Sequence, residues 1–314
     1  MNIAVTGAIG HIGSRLIRDL AVDFPASKIT LIDNLLTQLY PSIFNLPKSA
    51  EYRFIDADVR TADLKALLSD IEVMIHLAAI TDAAGSFDNA ELVEANNYDS
   101  TSKILEFCKE SGTRLITLSS TSVYGTQEQV VSEDCDQDNL NPQSPYAATK
   151  IREEELVNKY VTEHGVKAVS CRFGTIFGVS PGMRFHTAVN KFCWQAVMNQ
   201  PLTVWSTAYE QKRPYLDLSD ASRAISYIIR EDIFDGEIYN ILSKNATVRE
   251  IVEIIKLYVP DLVVEFVDNE IMNQLSYEVA NEKFSKKGFE FKGDLDRGIR
   301  ETIALLNQAN SLRG

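Results

Sequence analysis

Tyr146 and Lys150, four residues apart in Tyr-Ala-Ala-Thr-Lys, are the pair in this chain best suited to moving a proton. On a helix, residues i and i+4 share a face, so the ammonium lies beside the phenol. A free tyrosine, with a pKa near ~10, is a poor base at neutral pH. A neighbouring ammonium, joined by a second positive charge from a bound cofactor, favours the phenolate and brings it toward the working range. The spacing alone is common. Its meaning comes from a serine-rich strand end upstream, Leu118-Ser119-Ser120-Thr121-Ser122-Val123-Tyr124-Gly125, and from a glycine motif at the start of the chain.

That motif is Thr6-Gly7-Ala8-Ile9-Gly10-His11-Ile12-Gly13. It follows an apolar strand and opens a helix at His11 and Ile12, the context that makes three spaced glycines informative. Gly7 permits the tight turn, Gly10 lets the backbone approach a pyrophosphate, and Gly13 lets helix pack on strand. The helix N-terminus favours an anion there. Asp33 ends the second strand, 20 residues after Gly13, followed by Asn34. A carboxylate at this point accepts hydrogen bonds from the adenosine ribose and repels a 2′-phosphate, so NAD is expected rather than NADP. Asp58-Val59 follows the third strand, where the aspartate serves either an adenine amine or a turn. His76-Leu77-Ala78-Ala79 ends the fourth strand, and its small residues let backbone approach the cofactor. His76 itself reads as structural.

Composition narrows the partners. Of 314 residues, 44 are Asp or Glu and 31 Lys or Arg, a formal net charge of −13. Binding nucleic acid needs a basic face, so it is not expected. The four cysteines and four histidines have no metal-ligand spacing, and no metal is expected. No apolar run approaches the ~20 residues that span a membrane, and nothing resembles a signal peptide. The expectation is a cytoplasmic protein without membrane contact.

The first half alternates short apolar runs with helical patterns, the signature of an α/β, Rossmann-type doubly wound parallel sheet. Expected strands are Asn2–Thr6, Lys28–Ile32, Tyr52–Ile55, Val73–Leu77, Arg114–Leu118 and Lys167–Arg172, with helices His11–Ala21, Thr61–Leu68, Glu91–Glu110 and Tyr146–Glu163. Continuous apolar runs such as Ile29–Ile32 suit buried parallel strands. After Arg172 the alternation breaks down. The expected division is a cofactor domain over 1–173, with 214–236 returning to it, and a smaller α+β substrate lobe over 174–213 and 237–314. Short strands are expected at Leu202–Trp205, Glu237–Ile241 and Val263–Val267, and helices at Thr187–Asn199, Ser219–Arg230, 247–258 and Asp294–Asn307.

Together these motifs resemble the extended short-chain dehydrogenase/reductase family, especially its nucleotide-sugar epimerases and dehydratases. The resemblance rests on the glycine motif, Asp33-Asn34, His76–Ala79, Ser119-Ser120 with Val123-Tyr124-Gly125, Ser144-Pro145-Tyr146-x-x-x-Lys150 and Arg213-Pro-Tyr-Leu-Asp217, in family order over nearly the whole chain. It implies that Ser120 hydrogen-bonds the reacting sugar oxygen, Tyr146 is the general base, and Lys150 holds the nicotinamide ribose and tunes Tyr146. It also implies that Asn97 lines the cofactor pocket, that Arg213 meets a phosphate, and that Thr81, Ser86 and Thr121 border the sugar, the last three being equally readable as loop residues.

Family dehydratases carry Asp-Glu between the catalytic hydroxyl and the Val-Tyr-Gly; here Thr121-Ser122 stands there, which resembles a 4-epimerase of a nucleotide-diphosphate sugar. Two departures bear on substrate. Arg172-Phe173-Gly174-Thr175 lacks the family's diphosphate-binding asparagine, and the stretch Ile271–Asn281 has no arginine; Arg184 is a substitute anion binder. The alternatives are a dehydratase or 4-reductase, or a non-enzymatic NAD-binding sensor. A homodimer through Glu91–Glu110 and Tyr146–Glu163 is expected, with Leu92, Ile104, Leu105, Leu156 and Val157 open to either core or interface.

Overall fold

The structure is a computed structural model and describes residues 1–83, 85–127, 129–135, 140–267 and 277–310. Its strands are β1 (Asn2–Thr6), β2 (Lys28–Asp33), β3 (Glu51–Asp56), β4 (Val73–His76), β5 (Arg114–Ser120), β6 (Ala168–Phe173), β7 (Thr175–Phe177), β8 (Leu202–Trp205), β9 (Lys212–Asp217), β10 (Ile238–Ile241), β11 (Lys244–Thr247) and β12 (Val264–Val267). The helices are α1 (His11–Asp23), α2 (Leu64–Leu67), α3 (Ala90–Ser111), α4 (Pro145–His164), α5 (Ala188–Val197), α6 (Leu218–Arg230), α7 (Val248–Tyr258), α8 (Glu282–Ser285) and α9 (Leu295–Asn310).

Seven parallel strands form the main sheet in the order β10-β6-β5-β4-β1-β2-β3. The chain winds outward from β1 in one direction through β2 and β3, and in the other through β4, β5 and β6. The crevice between the carboxyl ends of β1 and β4 is therefore a topological switch point, where open α/β sheets bind ligands. Ile3, Val5, Ile29, Leu31, Val73 and Ile75 are buried beneath α1 and α6. Each such side chain stabilises by roughly 1.5–3 kcal/mol on leaving water. On the opposite face α3 and α4 cover Ala4, Met74 and Leu115.

The second lobe has its own core. Val189, Phe192, Leu202, Tyr215, Ile251, Ile255 and Ile299 are buried together where α5, α7 and α9 meet. Its strands pair as β11-β9-β7 and as a parallel β12-β8. The helix α7 opens on a reciprocal cap: Thr247 Oγ1 accepts from the Glu250 N–H at 3.1 Å, and the Glu250 carboxylate accepts from the Thr247 N–H at 2.7 Å.

The expected boundary needs correction. Residues 237–241 were assigned to the substrate lobe, yet β10 pairs in parallel with β6 and closes the main sheet. Phe284 and Phe289 likewise pack into the first core. The expected return over 214–236 thus continues through β10, and the chain comes back to the same core once more at Phe284 and Phe289, which linear order does not show. The sequence pattern also does not mark β7, β9 and β11 as strands; β7 and β11 are only three and four residues long, and β9 contains Pro214. Part of the arginine-free stretch, residues 271–276, lies outside the described residues.

Candidate active site

The site is one continuous cavity of about 800 Å³ at the carboxyl ends of β1, β4 and β5, roofed by the second lobe. Its first wall is the glycine loop. Gly7 adopts φ +66°, and a Cβ there would come within 2.7 Å of the Ala78 nitrogen. At Gly13 a Cβ would meet the Gly7 carbonyl oxygen at 2.4 Å. At Gly10, by contrast, a Cβ would meet only that carbonyl oxygen, at 3.4 Å, and the residue otherwise lines the open cavity. Two glycines thus close the loop on its own fold, and the third leaves bare backbone facing the space a pyrophosphate would fill. The loop fits a dinucleotide.

Thr6 fastens this wall to β4. Its hydroxyl meets His76 Nδ1 at 2.7 Å and accepts from the Leu77 and Ala78 N–H groups, both at 3.2 Å. Burial pushes the His76 imidazole down to about 3, so it is neutral and structural. Asp33 accepts from the N–H groups of Ile9 at 3.3 Å and Leu35 at 3.0 Å. Burial nevertheless raises its pKa, which leaves a carboxylate wanting further donors. Asp58 is instead gripped by Arg60 at 2.7 Å, which holds it down at about 2. It lines the cavity beside Asn34 and Val59, but its charge is already matched by its own turn.

Tyr146 stands at the second position of α4. Ser144 caps that helix by accepting from the Ala147 N–H at 3.2 Å, and Pro145 suits the first turn because its missing N–H needs no partner. The Tyr146 N–H donates to Ser86 Oγ at 3.3 Å. One turn on, Lys150 Nζ lies 5.9 Å from the Tyr146 ring centre and donates to the Leu118 carbonyl at 2.9 Å and to Glu153 at 3.1 Å. Ser120 ends β5, and its Oγ accepts from the Ser122 N–H and hydroxyl at 3.2 and 2.9 Å. Ser120, Tyr146 and Lys150 all face the cavity.

The protein alone supplies only part of the expected electrostatics. Burial raises the Tyr146 pKa, and the opposing effects of Lys150 and Ser120 do not overcome it. For Lys150 burial works downward, but Glu153 and Tyr146 turn the net shift upward. The protein alone therefore holds a protonated tyrosine beside a charged lysine.

Two residues expected in the pocket stand behind its wall. The amide of Asn97 clamps the loop after β4, accepting from the Ile80 N–H at 2.8 Å and donating to its carbonyl at 2.9 Å. Ser86 is fully buried and donates to the Ala83 carbonyl at 2.7 Å. Both position cavity residues and neither lines the cavity. Thr121 does line it, with its hydroxyl 3.3 Å from both the Phe173 carbonyl and the Tyr277 hydroxyl.

The second wall carries arginine and lysine. Arg184 donates to Thr81 at 3.0 Å across the lobes, and Arg213 and Lys191 also line the cavity, as does His186, whose pKa burial lowers. Thr175, not Gly174, supplies the side-chain hydroxyl there; a Cβ on Gly174 would lie 3.0 Å from the Pro214 carbonyl oxygen. The seam between the walls is not marked by any motif in the sequence. His11 Nε2 meets the Gly178 carbonyl at 2.9 Å, and the Gly182 N–H donates to Ser14 at 2.9 Å. The density of Gly and Pro over 178–182 was the available signal.

Among the described residues no helix is long and apolar enough to cross a membrane, and no cluster could hold a metal. Ile104, Leu105 and Val157 are buried in the core, whereas Leu92 is 53% exposed.

The chain is similar to known proteins throughout. It is 32% identical over 265 residues to a Bacillus subtilis (strain 168) protein described as an uncharacterized UDP-glucose epimerase, YtcB, covering 82% of this chain and 81% of the relative. It is 29% identical to the trifunctional UDP-glucose 4,6-dehydratase/UDP-4-keto-6-deoxy-D-glucose 3,5-epimerase/UDP-4-keto-L-rhamnose-reductase RHM2 of Arabidopsis thaliana, covering 96% of this chain but 46% of that protein, so it spans about half of the plant relative. Among solved structures, the UDP-glucuronic acid 4-epimerase of Bacillus cereus in complex with UDP-glucuronic acid and NAD superimposes with a TM-score of 0.88 at 26% identity, over 98% of this chain and all of that one. Residues 3–241 match the NAD dependent epimerase/dehydratase family, and the chain belongs to it.

Proposed function

We propose that this protein is an NAD-dependent nucleotide-sugar 4-epimerase. The carrying observation is Ser120, Tyr146 and Lys150 converging on one cavity, with Thr121 and Ser122 where elimination chemistry would need carboxylates. The glycine loop and Asp33 would hold NAD, with Leu77, Ala78 and Ala79 beneath it. Similarity to a 4-epimerase solved with NAD and a UDP-sugar supports both ligands.

Bound NAD supplies reversible acceptance of a hydride from the sugar carbon. Tyr146 takes the proton of the hydroxyl on that carbon and later returns it. Ser120 hydrogen-bonds the same oxygen, steadying the charge that changes there. Lys150 fixes the ribose and favours the phenolate; in the protein alone burial outweighs this effect, so Tyr146 becomes a base only once a bound cation adds to Lys150. Arg213 and Arg184 would hold the diphosphate end while the keto sugar turns over to present its other face. With the other face presented, the hydride chemistry that NAD would supply could give the inverted carbon.

The enzyme would act in the cytoplasm as a homodimer through α3 and α4, a reading supported by the buried thiols of Cys108, Cys171 and Cys193 and by the exposed Leu92 on α3. Dialysed enzyme, without added NAD, is expected to convert a UDP- or dTDP-hexose into an isomer. A product lighter by one water would establish the dehydratase instead.

A further inference from the structure

α4 carries two adjacent buried carboxylates with opposite surroundings. Glu154 is fully used: Arg172 grips it with two donors, at 2.8 and 2.7 Å, and the same arginine donates to Tyr124 at 2.8 Å. That pair ties α4 to β6. Glu153 is arranged differently. Its Oε2 alone takes both donors, Lys150 Nζ at 3.1 Å and the Thr101 hydroxyl at 2.7 Å. Its Oε1 is buried with no partner among the described residues. A carboxylate half satisfied in the interior costs stability, so this placement is poor architecture. Its one charged contact is the lysine beside the catalytic tyrosine.

We infer that Glu153 is a positioning residue that keeps the buried Lys150 protonated and aimed at Tyr146. The inference rests on the proposed roles of Tyr146 and Lys150. An ammonium has three donors. Glu153 and the Leu118 carbonyl occupy two of them and orient the third, which is left for the cofactor ribose. Lys150 is 4% exposed, and burial alone would favour its neutral form.

The other groups facing this pair are Tyr146 and Glu154 on α4, Thr101 on α3, His76 on β4 and Arg184 from the second lobe. His76 is neutral, and Arg184 acts on Tyr146 less than Lys150 does. Glu153 also opposes Tyr146 ionisation directly, but more weakly than Lys150 favours it. The role inferred for the carboxylate is the one transmitted through the lysine, and the direction in which the pH profile moves separates it from this direct effect.

The test is the pH profile of kcat for Glu153→Gln and Glu153→Asp beside the wild type. Gln keeps the shape and removes the charge. Its acidic limb is expected to move to higher pH by roughly one unit or more, with turnover at neutral pH down about tenfold. Asp restores the charge and is expected to return the limb toward its wild-type position. A purely structural role would lower the melting temperature of both variants and leave the limb where it was. An unmoved limb in Glu153→Gln, or one displaced to lower pH, overturns the inference. Tyr146→Phe is measured alongside: full turnover in that variant would sink the reading of the site itself, whereas its loss with an unmoved Glu153→Gln limb sinks only the role of Glu153.

Discussion

The two ends of the cavity are built from different materials. The cofactor end is backbone: three glycines, the carboxyl ends of parallel strands and a helix N-terminus, with carboxylates at Asp33 and Asp58. The opposite end is side chains: Arg184 and His186 from a loop, Lys191 from α5 and Arg213 from β9. On the proposed reading, a fixed cofactor would be met by fixed backbone, and a sugar that must turn over by long side chains. The seam between them runs through His11 to Gly178 and through Ser14 to Gly182.

The largest expected effect tests the chemistry that both ends serve. Tyr146→Phe removes only the hydroxyl, and should lower kcat by roughly 10²–10⁴-fold. Melting temperature and NAD affinity should barely change. If they fall with kcat, Tyr146 is holding the structure rather than carrying a proton.

The next effect belongs to the seam. Burial holds His11 neutral, its pKa pushed down to about 4 from an ordinary 6.5. A depressed histidine gives stability that is complete above 6.5 and is lost as pH falls through that value toward 4. The loss approaches about 3 kcal/mol. Denaturant unfolding at pH 7 and at successive lower values would show it, and His11→Gln should flatten that part of the curve. An unchanged slope in the variant would assign the acid sensitivity elsewhere.

Gly182→Ala strikes the seam by volume. A Cβ there would lie 2.4 Å from the Ile9 carbonyl oxygen and 2.6 Å from that of Gly10. Displacing the glycine loop should cost about 1–3 kcal/mol of stability. It should also weaken NAD binding, although residue 182 belongs to the loop opposite. Normal NAD affinity in this variant would show that the two ends are mechanically separate.

The smallest effects sharpen the contrast itself. Arg184→Ala should weaken nucleotide-sugar binding about tenfold and leave NAD unaffected, since one charge-assisted contact is lost. Asp33→Ala should do the reverse. Calorimetric titration of each ligand into each variant checks the crossing, and a variant that weakens both ligands equally would erase the distinction.

The same contrast explains what was legible in the sequence. Gly7, Gly10, Gly13, Asp33 and the Tyr146–Lys150 pair depend on local spacing, because strand, turn and helix must follow one another there. All of them line the cavity. The substrate end was read only in part. Thr175 lies on β7, Lys191 on α5 and Tyr277 in an irregular segment, and no short spacing relates them. Asn97 and Ser86 were assigned to the pocket on type and order, yet their side chains are spent on backbone groups. The strand at 238–241 was misplaced because a parallel edge strand pairs with a partner some 70 residues earlier. Glu153 was passed over because its meaning lies in Thr101 and Lys150 converging on one oxygen.

The central claim is that the site moves a hydride and a hydroxyl proton and eliminates nothing. Incubation of the enzyme with a UDP-hexose in D2O, followed by mass spectrometry of the product, tests it most directly. The expected product is an isomer of unchanged mass with no deuterium on carbon. A product lighter by one water and carrying solvent deuterium on carbon would contradict it.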